Sequence, residues 1–242
     1  MAERRFVVEG PQAVREALAA GALLELFSTG VDQALERAAT GLNVPLTQVT
    51  ADVLAAMGET VAPQGVLGVA PLLDVPLQGL RHDLRLVAVL HEVADPGNAG
   101  TVLRTADAAG AGAVVLTEGA ADPHGGKCVR SSAGSLWHLP VVAGAPADQV
   151  LDALRGRGLQ VLATTGGGED DLDDLQDGGV LAAPTAWVFG SEAHGLPPAV
   201  LGAADRRVRV PLRGRAESLN VAAAAAVCLY ASARAQRPPP RA

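Results

Sequence analysis

The apolar positions of this 242-residue chain fall into short runs separated by stretches of helical period. Near the start, "RRFVVEGPQAVREALAAG" (residues 4–21) reads as a strand, a Gly-Pro break and a helix. Val14, Ala17 and Leu18 share one helical face, and Gly21 closes it. "LLELFST" then predicts a strand and "VDQALERAAT" a helix, and "VPLTQVT", "ADVLAAMGET" and "GVLGVAPLL" repeat the alternation. Residues 1–74 therefore read as a small α/β domain. Residues 75–83, "VPLQGLRHD", carry a proline, a glycine and mixed charge without periodicity, and read as a linker.

A second series fills residues 84–236. "LRLVAVLHEV", "AGAVVLTEG", "LPVVAG", "LQVLATTGGG", "TAWVFGSE" and "DRRVRVPLRG" predict strands. "NAGTVLRTADAAG", "KCVRSSAGSL", "ADQVLDALRGRG" and the long "SLNVAAAAAVCLYASARA" predict helices. Strands alternating with helices imply a mostly parallel sheet covered on both faces. The acidic run "GGGEDDLDDLQDGG" (166–179) breaks the rhythm and reads as a solvated loop with one helical turn. "RPPPRA" (237–242) reads as a disordered tail.

Composition narrows the class. Apolar residues make up 49% of the chain and charged ones 19%, as in globular proteins. No apolar run approaches the roughly 18 residues that span a bilayer, and "MAERRFVVEG" lacks an apolar signal core, so a cytoplasmic protein without a membrane partner is expected. Cys128 and Cys228 match no metal or redox spacing and read as packing thiols. The net charge of −7 and the scarcity of aromatic residues exclude a broad basic or stacking platform for nucleic acid. Any RNA must meet positive charge concentrated locally, and not in residues 1–80, where nine acids face four arginines.

Three stretches carry candidate chemistry, each where a strand ends and an α/β sheet exposes its carboxyl edge. In "HEVADPGNAGTVLRTADAAG" (91–110), Pro96 and Gly97 predict a turn with positive φ at the glycine. Asn98 then caps the helix that carries Arg104, a guanidinium suited either to a phosphate or to a surface salt bridge. No G-x-G-x-x-G dinucleotide fingerprint follows the strand. In "GSEAHGLP" (190–197), Gly190 permits close backbone approach and Glu192 accepts hydrogen bonds or orients Arg104. His194 is a weaker candidate for a base, because nothing near it in sequence orients its ring. In "VRVPLRGRAESLNVAAAAA" (208–226), Pro211 stops a strand, Ser218 is placed to cap the final helix, and Arg213 and Arg215 suit either RNA phosphates or solvent. The "VAAAAAV" run fits tight internal packing or a dimer seam.

Taken together, "NAGTVLRTADAAGA", "WVFGSEAHGLP" and "VRVPLRGRAESLNVAAAAAV" resemble, in order, the three motifs of the SpoU (TrmH-like) branch of the SPOUT RNA methyltransferases. "TEGAADPHGGKCVRSSAGSLWHLPV" (117–141) is similar to the segment between the first two motifs and adds Arg130 as an RNA-contact candidate. "FVVEGPQAVREALAAG" and "PQGVLGVA" resemble the ends of the ribosomal-protein-like substrate-binding domain that precedes many of these enzymes. The resemblance implies a trefoil-knotted α/β domain that works as a homodimer without metal, and 2′-O-methylation of ribose, most simply in large-subunit ribosomal RNA, with S-adenosylmethionine as donor. It assigns Gly190, Val210 and Leu219 to the cofactor. Asn98, Arg104, Glu192, Ser218 and Asn220 become the catalytic set. The alternatives are a transfer-RNA ribose methyltransferase and a non-catalytic RNA-binding or ribosome-assembly factor of the same fold.

Overall fold

The structure is a computed structural model that describes residues 4–237. Its first part alternates β1 (Arg5–Glu9), α1 (Pro11–Ala19), β2 (Glu25–Ser28), α2 (Gln33–Gly41), β3 (Leu46–Gln48), α3 (Ala51–Met57) and β4 (Val66–Pro71). The sheet order is β1-β4-β2-β3, antiparallel except where β2 pairs with β3. The helices begin where their sequence provides a stop for free amides. Pro11 opens α1, and Asp32 and Thr50 accept from the first-turn amides of α2 and α3.

Residues 75–83 do not hang free. Leu77 and Leu80 are buried, and Arg157 donates to the carbonyls of Leu77 and Leu80 at 3.2 and 3.3 Å. The second part then runs β5 (Leu86–Leu90), α4 (Pro96–Ala108), β6 (Ala113–Thr117), α5 (Gly126–Ser132), β7 (Val141–Ala145), α6 (Ala147–Arg155) and β8 (Gln160–Thr164). It closes with β9 (Asp170–Asp171), α7 (Leu172–Asp177), β10 (Thr185–Phe189), α8 (Pro198–Ala203), β11 (Arg206–Arg209) and α9 (Val221–Ala235). Its seven strands are all parallel, in the order β7-β6-β5-β10-β8-β11-β9.

The centre of this sheet is buried on both faces, which is why its strands are continuous apolar runs. Along β5, Leu86, Ala88 and Leu90 face one core, which also takes Trp187 and Phe189 of β10 and residues of α4, α5, α7 and α9. Val87 and Val89 face the other, with Val150, Leu151 and Leu154 of α6 and Val200 of α8. The Trp187 indole donates to Ser232 Oγ at 2.9 Å and pins α9 to β10. Gly100 lets α4 and α5 touch backbone to backbone: a Cβ there would lie 2.4 Å from the Cys128 carbonyl.

Two features depart from the sequence expectations, and a third expectation falls outside the described residues. The acidic run contributes the short edge strand β9 and the helix α7. There Asp170, Glu169, Asp171 and Asp173 pair with Arg206, Arg207, Arg209 and Arg213 at 3.2, 2.8, 3.2 and 2.8 Å. The helix α8 went unread because its six residues span less than two turns. The tail at 237–242 lies, beyond Arg237, outside the described residues. Both cysteines are buried, and burial pushes the Cys128 thiol up to about 12 and raises that of Cys228 as well, so neither is a ready nucleophile.

The two sheets share a seam. Phe6 packs against His124 and Trp137 with ring centroids 4.8 and 6.3 Å away. Leu73 N–H donates to His124 Nε2 at 3.0 Å, and Arg4 pairs with Asp74 at 3.1 Å. Burial holds the His124 ring below its ordinary pKa, consistent with that nitrogen acting as an acceptor.

Candidate active site

Because all seven strands run parallel, their carboxyl ends lie along one edge, and the strand order reverses between β5 and β10. That switch point is where an open α/β sheet leaves a crevice. The segments leaving β8, β10 and β11 enclose, with the amino end of α9, a cleft of about 440 Å³, and the segment after β5 reaches its rim through Asn98. Thr164, Thr165 and Gly166 line it after β8, Gly190 and Glu192 after β10, Val210 and Leu212 after β11, and Glu217, Ser218, Leu219 and Asn220 before α9.

A directed chain of hydrogen bonds crosses the rim. Asn220 Oδ1 accepts from Ala222 and Ala223 N–H at 2.9 and 3.3 Å, capping α9. Its amide nitrogen donates to Asn98 Oδ1 at 3.1 Å, and Asn98 Nδ2 donates to Glu192 Oε1 at 2.6 Å. Each amide is oriented by its partners: a carboxylate only accepts and a helix amide only donates, so neither asparagine can flip without breaking a bond. Three segments far apart in sequence are thereby fixed around one carboxylate.

The loop geometry follows from small residues. A Cβ on Gly190 would lie 2.4 Å from the Gly195 carbonyl carbon, so only glycine allows the loop to fold back on itself. The turn after β5 differs from expectation. Gly97 is helical, and the positive φ (53°) falls on Glu92. The cap of α4 is Asp95, which accepts from Gly97 and Asn98 N–H at 2.5 and 3.3 Å, so Asn98 sits in the first turn with its side chain released to Glu192 and Asn220 at the rim of the cleft. The Lys127 ammonium, together with these amides, holds the Asp95 carboxyl below the usual carboxylate range. Likewise α9 is capped by Asn220 and not by Ser218, whose hydroxyl has no partner among the described residues and lines the cleft.

Of the expected residues, the fold brings together Asn98, Gly190, Glu192, Val210, Ser218, Leu219 and Asn220. Arg104 is separate. It lies on the exposed side of α4, roughly 9 Å along the axis from Asn98, with no hydrogen-bond or ion-pair partner among the described residues and no place in the cleft lining. Glu192 therefore binds Asn98 and does not orient Arg104. Arg215 is exposed and without a partner among the described residues, whereas Arg213 pairs with Asp173 and Arg130 with Glu9 at 2.7 Å. His194 lies outside the lining, its N–H donating to Ser191 Oγ at 3.4 Å. Thr164, Thr165, Gly166, Leu212 and Glu217 were missed. The glycine run after β8 was their one signal in the sequence.

Residues 211–219 form no backbone–backbone hydrogen bond among the described residues, and Leu212, Glu217, Ser218 and Leu219 of this loop border the cleft beside apolar Phe189 and Val210. Apolar walls with free backbone donors and acceptors suit a purine, and the polar rim suits an amino-acid group. The residues present thus fit S-adenosylmethionine.

Comparison with known families decides the relationship. The model described as "SpoU rRNA Methylase family" matches residues 85–230. The chain belongs to the SpoU family. A second model, "MRM3-like substrate binding domain", matches residues 1–68 ahead of the SpoU domain. Among SpoU relatives, the 23S rRNA (guanosine(2553)-2′-O)-methyltransferase RlmP of Bacillus subtilis is 36% identical over 234 residues, covering 93% of this chain and 87% of its own. The AdoMet-bound rRNA methyltransferase of Sinorhizobium meliloti superposes with a TM-score of 0.83 at 30% identity, covering 96% of this chain and 87% of that one. The SpoU methyltransferase AviRb of Streptomyces viridochromogenes, in complex with AdoMet, gives 0.83 at 29% identity, with 96% and 90% covered.

Proposed function

We propose that this protein transfers a methyl group from S-adenosylmethionine to a ribose 2′ oxygen of large-subunit ribosomal RNA. The observation that carries the reading is the Asn220–Asn98–Glu192 chain at the rim of a cleft suited to the cofactor. RlmP and the two AdoMet-bound relatives support it in reaction, donor and length covered.

Gly190, Val210 and Leu219 would hold the cofactor through their backbone, and Ser218 would line its reactive end. S-adenosylmethionine, when bound, supplies a methyl group activated by the positive sulfonium. The protein's own task is to orient the hydroxyl, exclude water and manage charge as the hydroxyl proton departs. Glu192, held by Asn98, supplies negative charge at the rim. The Arg104 guanidinium holds the phosphate beside the target ribose and stabilises charge growing on the oxygen.

Arg104 cannot do this within its own cleft lining, so a homodimer is part of the proposal. The exposed faces of α4 and α9 lie side by side, with Val227 44% and Tyr230 52% exposed, and an apolar pair of that kind is suited to a second copy. Pairing there brings Arg104 to the partner's cleft. We further propose the knotted path for the segment that carries α9, and action on ribosomal RNA in the cytoplasm. Among the described residues no helix is long and apolar enough to cross a membrane.

The test is transfer of labelled methyl from S-adenosylmethionine to unmodified RNA, with mapping of ribose-methylated positions. Label in large ribosomal RNA is the expected result. Label confined to transfer RNA would favour the second reading, against which the substrate-binding match over residues 1–68 weighs. Absence of cofactor binding would favour a non-catalytic factor.

A further inference from the structure

A cavity of about 330 Å³ opens where the two sheets meet, away from the cleft. Its apolar wall comes from the small sheet: Ala13 of α1, Leu54 of α3 and Val66 of β4. Arg130 of α5 lines the facing side, and the rim is the exposed segment Ala62, Pro63 and Gln64 between α3 and β4.

Charge inside is already balanced. The Glu9 side chain is 8% exposed, and its carboxylate accepts from Arg130 at 2.7 Å, from the Glu59 N–H and from the Thr60 hydroxyl. An entering anion would face that carboxylate and an entering cation the guanidinium, so neither is favoured. Neutral groups are what remain to be matched. Gln64 makes no hydrogen bond among the described residues, and Gln12 spends its amide nitrogen on Glu16 at 2.9 Å and keeps its carbonyl free. Among the described residues, Arg130 uses only Nη1. A flat uncharged ring with donors and acceptors on its edge meets this chemistry, and unpaired bases of RNA have that form.

We propose that the cavity receives one unpaired nucleobase of the RNA substrate, seated against the apolar wall and read at its edge by Gln64 and Arg130. This rests on the RNA methyltransferase reading and adds a second contact to it. The helix α5 links the two places. Lys127 donates to Asp95 at 2.9 Å, and Ser131 Oγ donates to the Pro96 carbonyl at 3.3 Å, so the helix that walls the cavity also holds the turn that presents Asn98. A base lodged there sets the register in which the ribose reaches the cleft. Arg130 then contacts RNA at the seam, remote from the cofactor.

Ala62 is exposed, so Ala62→Trp plugs the rim without disturbing a core. With an unmodified large-subunit ribosomal RNA transcript, Ala62→Trp is expected to raise KM and the RNA Kd about tenfold, the loss of one base contact. The value of kcat at saturating RNA and the Kd of S-adenosylmethionine stay as in the wild type. Gln64→Ala shifts KM in the same direction by less, and a benzophenone side chain at position 62 crosslinks to an unpaired nucleotide. If the wild type binds and methylates the transcript and Ala62→Trp does so equally well, the cavity proposal is overturned while the methyltransferase reading stands. If the wild type binds S-adenosylmethionine but no RNA, both fall. A plugged variant that also loses kcat and cofactor affinity signals general damage and counts against the cavity.

Discussion

Asn98 donates to Glu192 and accepts from Asn220, so its substitutions separate geometry from charge. Asn98→Ala removes both bonds and is expected to lower kcat/KM about 10²-fold, the scale of a lost oriented hydrogen bond to a charged group. Asn98→Asp is isosteric yet sets a second carboxylate against Glu192, and like charges at that distance repel, so it should be the more damaging of the two. Steady-state kinetics on the two variants decide the order. Arg104→Ala should cut kcat about 10²–10³-fold, the range for removing a transition-state charge partner, with cofactor affinity unchanged by calorimetry. Mixing Arg104→Ala with Asn98→Asp protomers tests where the arginine acts. Activity reappears in the mixture if Arg104 serves the partner's cleft and stays absent if it serves its own. Asn98 and Glu192 were legible because each sits in a polar motif that follows an apolar strand, whereas Asn220 entered through the family resemblance alone. The mutual contacts of the three were not legible, because the caps actually used, Asp95 and Asn220, differ from Asn98 and Ser218 only in which side chain turns back to the helix.

At the scale of elements, what sequence revealed was the sheet, for a simple reason. Parallel strands covered on both faces must be continuous apolar runs, and β5, β6 and β10 are buried at every position. What it concealed was short and polar: β9 is two aspartates whose place is set by arginines across the sheet edge, an interaction with no local period. Gly100 offered no signal either, since a glycine in a helix carries no sign of its neighbour. Gly100→Ala would gain up to about 1 kcal/mol of helix propensity, but its methyl would lie 2.4 Å from the backbone carbonyl of Cys128, which no rotamer relieves. Overpacking of this kind costs about 1–3 kcal/mol. A net loss of stability in urea denaturation is therefore expected, along with reduced activity because α5 props the turn that carries Asn98.

For the whole molecule, the seam has its own pH dependence. His138 Nδ1 meets Asp107 at 2.7 Å and Nε2 meets Glu16 of α1 at 3.4 Å, and the bond to Asp107 foremost, then the nearby negative charge, holds the imidazole above its ordinary pKa. A raised folded-state value means that the stabilisation is fully present below the unfolded pKa of about 6.5 and fades as pH rises through the folded value. The urea midpoint of wild type minus that of His138→Gln should shrink from pH 5.5 to 8.5, and salt should blunt the difference because the ring is half exposed. An equal difference at both pH values would remove His138 from the account. The strand order carries a consequence in time. Leu86 stands beside Thr185 in the central pair, and Asn98 waits for Asn220, which is among the last residues before α9. Such distant pairings form slowly, and a chain growing from its amino end completes its first sheet long before any cleft exists. Catalytic competence thus arrives all at once with the final helix, and a chain interrupted before Val221 holds the seam between the sheets and half of a site, but no enzyme.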